Sequence, residues 1–501
     1  MRVTTQRAFV ASEFPGPSVT AKPGRLRRHL SADHPGLLLG ALLASLIVAA
    51  PLLYLAVRAG EGGLETWQWL LSERLPGLMA RTFALTAGTT LLAVAFALPL
   101  AWLVHRTDLP GRRWLTWIGA LPLVFPPYVG AFVYITLVGP ALYSLPGAMF
   151  ILALFTYPYI YLLAGSALRG SNQSLEDAAR SAGLSQGQVF WRVTLPLLRP
   201  ALVAGALLVI LYALSDFGSV AMLRVETFTA AIYLQIRGRF DRSAAAVLSL
   251  VLVLLTVGIL LFEEAMKRQG ARYYQTTGHW RPIRPVALGR WRWAATLFAW
   301  GVAFASVGLP LGMLLAWSVE GLAERGLSAK MLSYASNSLI GAGGAATLAS
   351  LLAFPVAYLA ARHRSALSQA LFRLAYVGYS LPGIVVALAA TFLFHRFLGP
   401  LYGTVWALLT AYVIRFLPQS MGALHSGLGA LSPNLEDAGR SLGLTSGQVL
   451  RKITLPLIAP SLVTGWALVF LNVLKELPAT LLMRPAGFDT LAVRVWIDAD
   501  E

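Results

Sequence analysis

The stretch "EDAARSAGLSQGQVFWRVTLP" (Glu176–Pro196) returns 260 residues later as "EDAGRSLGLTSGQVLRKITLP" (Glu436–Pro456). Each copy is polar, about as long as one helical hairpin, and set in an apolar chain. Asn172 or Ser174 can cap a first short helix, with Glu176 and Asp177 in its first turn, where acidic side chains favour the helix dipole. Gly183 suits a left-handed stop, and Ser185 or its counterpart Thr445 can cap the next helix. Leu195-Pro196 and Leu455-Pro456 are expected to close that second helix. Pro200 and Pro460 then stand where a longer helix would begin, a position that tolerates proline.

The surroundings explain why a polar hairpin stands out. The chain has 501 residues, of which 57% are hydrophobic and 12% charged. A soluble domain carries about 25% charged residues. The composition is that of an integral membrane protein. Its net charge of +18 is read as basic loops that set membrane orientation, not as a nucleic-acid surface. The sequence contains no cysteine, which excludes disulfides, thiolate metal sites and thiol nucleophiles.

A helix needs about 20 apolar residues to cross the hydrocarbon. Candidate spans lie near 36–57, 79–104, 115–138, 146–166, 200–215 and 243–262. A second series lies near 293–317, 336–361, 371–395, 403–424 and 460–474. Residues 1–34 read as a disordered basic tail, and the first apolar run is too long for a signal-peptide core. The tail, Arg106, Arg112 and Arg113, and the linker at Lys267, Arg268, Arg272, Arg281 and Arg284 all fall on one side if the N-terminus is cytoplasmic. Both polar repeats then face the cytoplasm.

The repeat extends beyond the hairpin. Pro140 matches Pro400 and Pro158 matches Pro418 at the same offset. We therefore expect an all-α integral membrane protein of two tandem helical bundles. Their limits are a first half at 35–263, a cytoplasmic linker at 264–291 and a second half at 292–501. Parallel repeats of this kind place a pathway between the halves. At this offset Glu501 corresponds to Asp241, beyond which the first half has one more apolar span. The second half is thus expected to be truncated before a twelfth span, leaving eleven.

The hairpin residues carry a resemblance. Asp177-Ala178-Ala179, Gly183, Val193 and Leu195-Pro196, repeated as Asp437-Ala438-Gly439, Gly443, Ile453 and Leu455-Pro456, resemble the EAA loop of binding-protein-dependent ABC importer permeases. Asp replaces the usual Glu in both copies, with Glu176 and Glu436 beside it. Gly439 replaces an Ala at a small cost in helix propensity. The resemblance implies a MetI-like fold and coupling loops that dock on two ATP-binding subunits. It also implies a substrate delivered by an extracytoplasmic binding protein. Glu176, Asp177, Ala178, Gly183, Leu195 and Pro196, with Glu436, Asp437, Ala438, Gly443, Leu455 and Pro456, are the coupling-loop residues so implied. Apolar knobs for the contact are expected at Leu184, Val189 and Leu195 and at Leu444, Val449 and Leu455. No G-x-x-x-x-G-K-[ST] motif occurs, so ATP and Mg are expected on the partner. This chain is expected to be no enzyme and to bind no cofactor or metal of its own.

The stretches "SDFG" (Ser215–Gly218) and "KELP" (Lys475–Pro478) are equivalent. A helix from Pro200 to Asp216 climbs roughly 24 Å, short of the ~30 Å hydrocarbon. Asp216, Phe217, Lys475 and Glu476 are candidates for the pathway or its gate. Either Lys475 pairs with Glu476 or Asp216 to hold the halves together, or the carboxylates line a cation path. These stretches resemble fused permeases of ferric-iron importers, with thiamine and aminoalkylphosphonate permeases of similar layout. The rival of another class is an ion-coupled secondary transporter, which usually has ionisable residues in mid-span. Spans one to four show none.

Overall fold

The computed structural model describes residues 35–170, 173–238, 241–270, 285–326, 328–363 and 365–500. The basic tail at 1–34 and half of the expected linker, 271–284, lie outside them. Apolar runs fold as helices because a backbone in hydrocarbon must satisfy its hydrogen bonds internally. In the first half these are α1 (Pro35–Glu61), α2 (Gly63–Arg106), α3 (Pro127–Val138), α4 (Leu145–Gly170), α5 (Gln173–Ser181), α6 (Gln186–Ser215), α7 (Phe228–Arg237) and α8 (Arg242–Gly270). The second half contains α9 (Gly289–Glu324), α10 (Ala329–Arg362), α11 (Gly383–Phe397), α12 (Val405–Ala430), α13 (Asn434–Ser441), α14 (Ser446–Leu474) and α15 (Leu491–Asp500). The repeat holds residue by residue in places: α4 and α12 have the same length at the 260-residue offset.

Among the described residues eight helices are long and apolar enough to cross a bilayer, or nine if one bent pair counts as a span. The eleven runs of the sequence are therefore not eleven straight helices. Run 115–138 breaks at Phe125-Pro126 into arms bent by 95°. Run 371–395 breaks at Leu381-Pro382 and leaves the 15-residue α11. In both, the residue before proline is extended, as the proline ring demands. Helix α12 is long but more polar, carrying Arg415, Gln419 and His425.

Each half also lends its first helix to the other. Ala41, Ala44 and Val48 of α1 are buried against Ala342, Ala345 and Ala346 of α10 in one core. Ser45 Oγ donates to the Leu371 carbonyl at 3.2 Å. In return Ala299, Val302 and Ala303 of α9 pack with Ala93, Ala97 and Tyr157 of the first half. Tyr134 Oη donates to the Ala305 carbonyl at 2.7 Å. Alanines on both sides let the backbones approach closely, which is how helices associate without a hydrophobic drive between them. The start of α9 is held by a bridge between Thr107 and Val286.

Candidate functional site

Two constructions stand out, and each occurs twice. The first is the polar hairpin, α5 leading into α6 and α13 leading into α14. Gly183 and Gly443 turn the chain at φ +86° and +85°, a region that costs a residue with a Cβ. Ser185 with Gln188, and Thr445 with Gln448, form capping boxes that open the next helix. That helix does not close at Leu195-Pro196 or Leu455-Pro456, contrary to the sequence reading. It runs on to Ser215 and Leu474 without interruption. The missing proline N–H is absorbed by a wide π-turn, Phe190–Thr194 and Leu450–Thr454, in which the Leu195 and Leu455 N–H groups bond five residues back.

The two acids of each hairpin have different surroundings. Asp437 is exposed and Asp177 half-buried, and they pair locally with Arg440 and Arg180. Glu176 and Glu436 are buried, at 7% and 5% exposure. Glu176 Oε1 accepts from Thr194 Oγ1 and pairs with Arg106 Nη2, both at 3.0 Å. Glu436 Oε1 accepts from Thr454 Oγ1 at 3.0 Å and Arg362 Nε at 3.1 Å. Arg106, Arg362, Thr194 and Thr454 were not anticipated from sequence. The threonines could have been, because they recur in "VTLP" and "ITLP". Ala178 and Ala438 lie exposed, as do Pro196 and Pro456, while Leu195 and Leu455 are half-buried. The expected knobs Val189 and Val449 face inward, at 3% and 1% exposure. The apolar side chains presented outward are Leu175, Trp191, Leu435 and Leu442.

The second construction lies where the halves meet. A cavity of about 120 Å³ is lined by Tyr128, Tyr212, Asp216, Arg415, Lys475 and Glu476 among others. Both carboxylates are engaged by the chain itself. Asp216 accepts from the N–H groups of Ser219 and Val220 at 3.1 and 3.2 Å, and from Ser219 Oγ at 3.1 Å. Glu476 Oε1 accepts from the Ala479 N–H at 3.2 Å and from Arg415 Nη1 at 2.5 Å. At equivalent positions both acids thus satisfy the open end of a short helix that follows a long one. Lys475 does not pair with either carboxylate in the way the sequence suggested. Its Nζ donates to the Leu123 carbonyl at 3.1 Å, across the boundary between the halves. Phe217 bridges the same boundary, its ring 6.0 Å from that of Trp496. Arg415 was missed, although an arginine within an apolar run is itself a signal.

The comparisons with known proteins agree with this duplication. Residues 93–268 and 353–495 both match the model of the binding-protein-dependent transport system inner membrane component. An Fe(3+)-transport system permease of Haemophilus influenzae is 32% identical over 460 residues, covering 91% of this chain and 90% of that protein. A putative ferric transport system permease of the same organism is 25% identical over 455 residues, 81% of this chain and 69% of its own length. A molybdenum transport system permease of Escherichia coli is 31% identical over 202 residues, covering 35% of this chain and 88% of itself. This chain is thus a multi-pass membrane permease subunit and not an ATP-hydrolysing or otherwise catalytic one. With both domain matches in a single polypeptide, the chain belongs to the family of binding-protein-dependent transport system inner membrane components.

Proposed function

We propose that this chain is the permease of an importer for ferric iron. Its cargo arrives from an extracytoplasmic binding protein, and ATP hydrolysis on separate subunits moves it inward. The observation that carries the substrate is the similarity to an Fe(3+)-transport permease along nine tenths of the chain. The duplicated hairpin supports one ATP-binding subunit on each copy, two in all, facing the cytoplasm together with the N-terminus. ATP and Mg then belong to those subunits. The cavity between the halves supports a pathway there, with Phe217 and Lys475 at its closed boundary.

A second reading has its own observation. Arg415 and Lys475 line the cavity together, and such side chains suit an oxyanion; one relative is a molybdenum permease. One experiment separates the two. The chain is reconstituted in vesicles with its ATP-binding subunits and binding protein, and uptake of labelled iron, molybdate and sulfate is followed. ATP-dependent uptake of iron alone supports the first reading. Uptake of an oxyanion without iron replaces it with the second.

A further inference from the structure

The buried acids of the hairpins do a different job from Asp177 and Asp437. We propose that Glu176 and Glu436 are positioning residues that fasten each hairpin to the end of a long helix, so that hairpin movement is delivered to the bundle. The proposal rests on the coupling role given to the hairpins above.

The geometry argues for it in three steps. First, the fastening spans a weak point. The second short helix of each hairpin, Gln186–Val189 or Ser446–Val449, is joined to the rest of α6 or α14 through a π-turn, and a π-turn is where a helix bends. The threonine that donates to each carboxylate, Thr194 or Thr454, is the last residue of that π-turn. The carboxylate therefore braces the turn from the side.

Second, the brace reaches a separate helix. Arg106 is the last residue of α2, and Arg362 is the last residue of α10. Arg362 also donates to the Leu431 carbonyl at the end of α12, at 3.2 Å. A shift of the hairpin is thus imposed on two or three helices together. One of them, α6, runs 30 residues from the hairpin to the wall of the cavity at Ser215, about 45 Å at 1.5 Å per residue.

Third, the two halves meet the same need with arginines that are not equivalent. The glutamates and threonines recur at the 260-residue offset, but the counterpart of Arg106 is Ala366 and the counterpart of Arg362 is Trp102. The second arginine stands one helical turn earlier because α10 ends one turn earlier. Position at the helix end decides the pairing, where a cation also suits the helix dipole. Burying such a pair is a poor way to gain stability, so its presence in both halves points to a mechanical role.

The test uses the whole transporter in vesicles, with ATP hydrolysis and iron uptake measured on one preparation. In E176Q/E436Q the ATP-binding subunits should stay bound and hydrolysis should stay within twofold of wild type. Uptake per ATP hydrolysed should fall at least tenfold. The T194V/T454V chain leaves the ion pairs in place and should show the same loss in weaker form, and it decides the matter if the glutamine variant does not fold. Unchanged uptake per ATP in a folded variant overturns the proposal. Loss of the ATP-binding subunits from a folded variant also overturns it, because the acids would then serve docking. A wild-type chain that retains no ATP-binding subunit refutes the coupling role itself, and the proposal with it.

Discussion

A Cβ built on Gly439 would lie 2.5 Å from Cδ1 of Ile453. The first hairpin has Ala179 and Val193 at these positions. One methyl group has in effect moved across the contact, from the short helix to the π-turn, and the packed volume is kept. Gly439 thus leaves room for the longer Ile453 side chain, at some loss of helix propensity.

Gly439→Ala should destabilise the second hairpin by about 1 kcal/mol, the low end of the cost of overpacking, because the Cδ1 it meets ends a flexible side chain and Ala regains helix propensity. Gly439→Ala combined with Ile453→Val rebuilds the first hairpin's contact and should recover most of that loss. Thermal unfolding of the purified chain in detergent measures both. Equal melting of the single and double variants would reject the compensation.

Gly183→Val and Gly443→Val should lower ATP-driven uptake several-fold while membrane insertion is kept. Each places a β-branched residue at positive φ, at a cost of roughly 1–3 kcal/mol. Gly187→Ala is the control, since its φ is not positive and nothing stands within 4 Å of the new Cβ. Normal uptake by both valine variants would remove the turn from the coupling role.

Arg415→Met should lower the melting temperature markedly, because it leaves the buried Glu476 without its guanidinium; removing one partner of such a pair costs about 3–5 kcal/mol. Arg415→Met with Glu476→Gln should melt closer to wild type, since no uncompensated charge is left. If the double variant is no more stable than the single one, the pair is not what holds Glu476 in place.

Single cysteines at Ser185, Thr445 and Glu65 test the orientation, because the chain has no cysteine of its own and all three positions are exposed. A membrane-impermeant thiol reagent applied to intact cells should label position 65 and spare 185 and 445. Labelling of 185 or 445 from outside would reverse the proposed topology.

Much of this protein is written in its sequence. Hydrophobic runs dictate helices, because hydrocarbon leaves the backbone no other partner. The 260-residue repeat fixes two halves, and Gly183 and Ser185 with their counterparts mark the hairpin turn by local chemistry alone. Local rules also misled: proline at 196 and 456 reads as a stop, but a π-turn accommodates it, and an unbroken run such as 115–138 hides a right-angle bend. Only the tertiary structure could decide which helix packs on which half. The exchange of α1 and α9 rests on alanine faces that no periodicity assigns to a partner. The pairing of Glu176 with Arg106, Glu436 with Arg362 and Glu476 with Arg415 was equally out of reach. These charges are 70, 74 and 61 residues apart, and a buried ion pair is set by where helices end and cross, not by spacing along the chain.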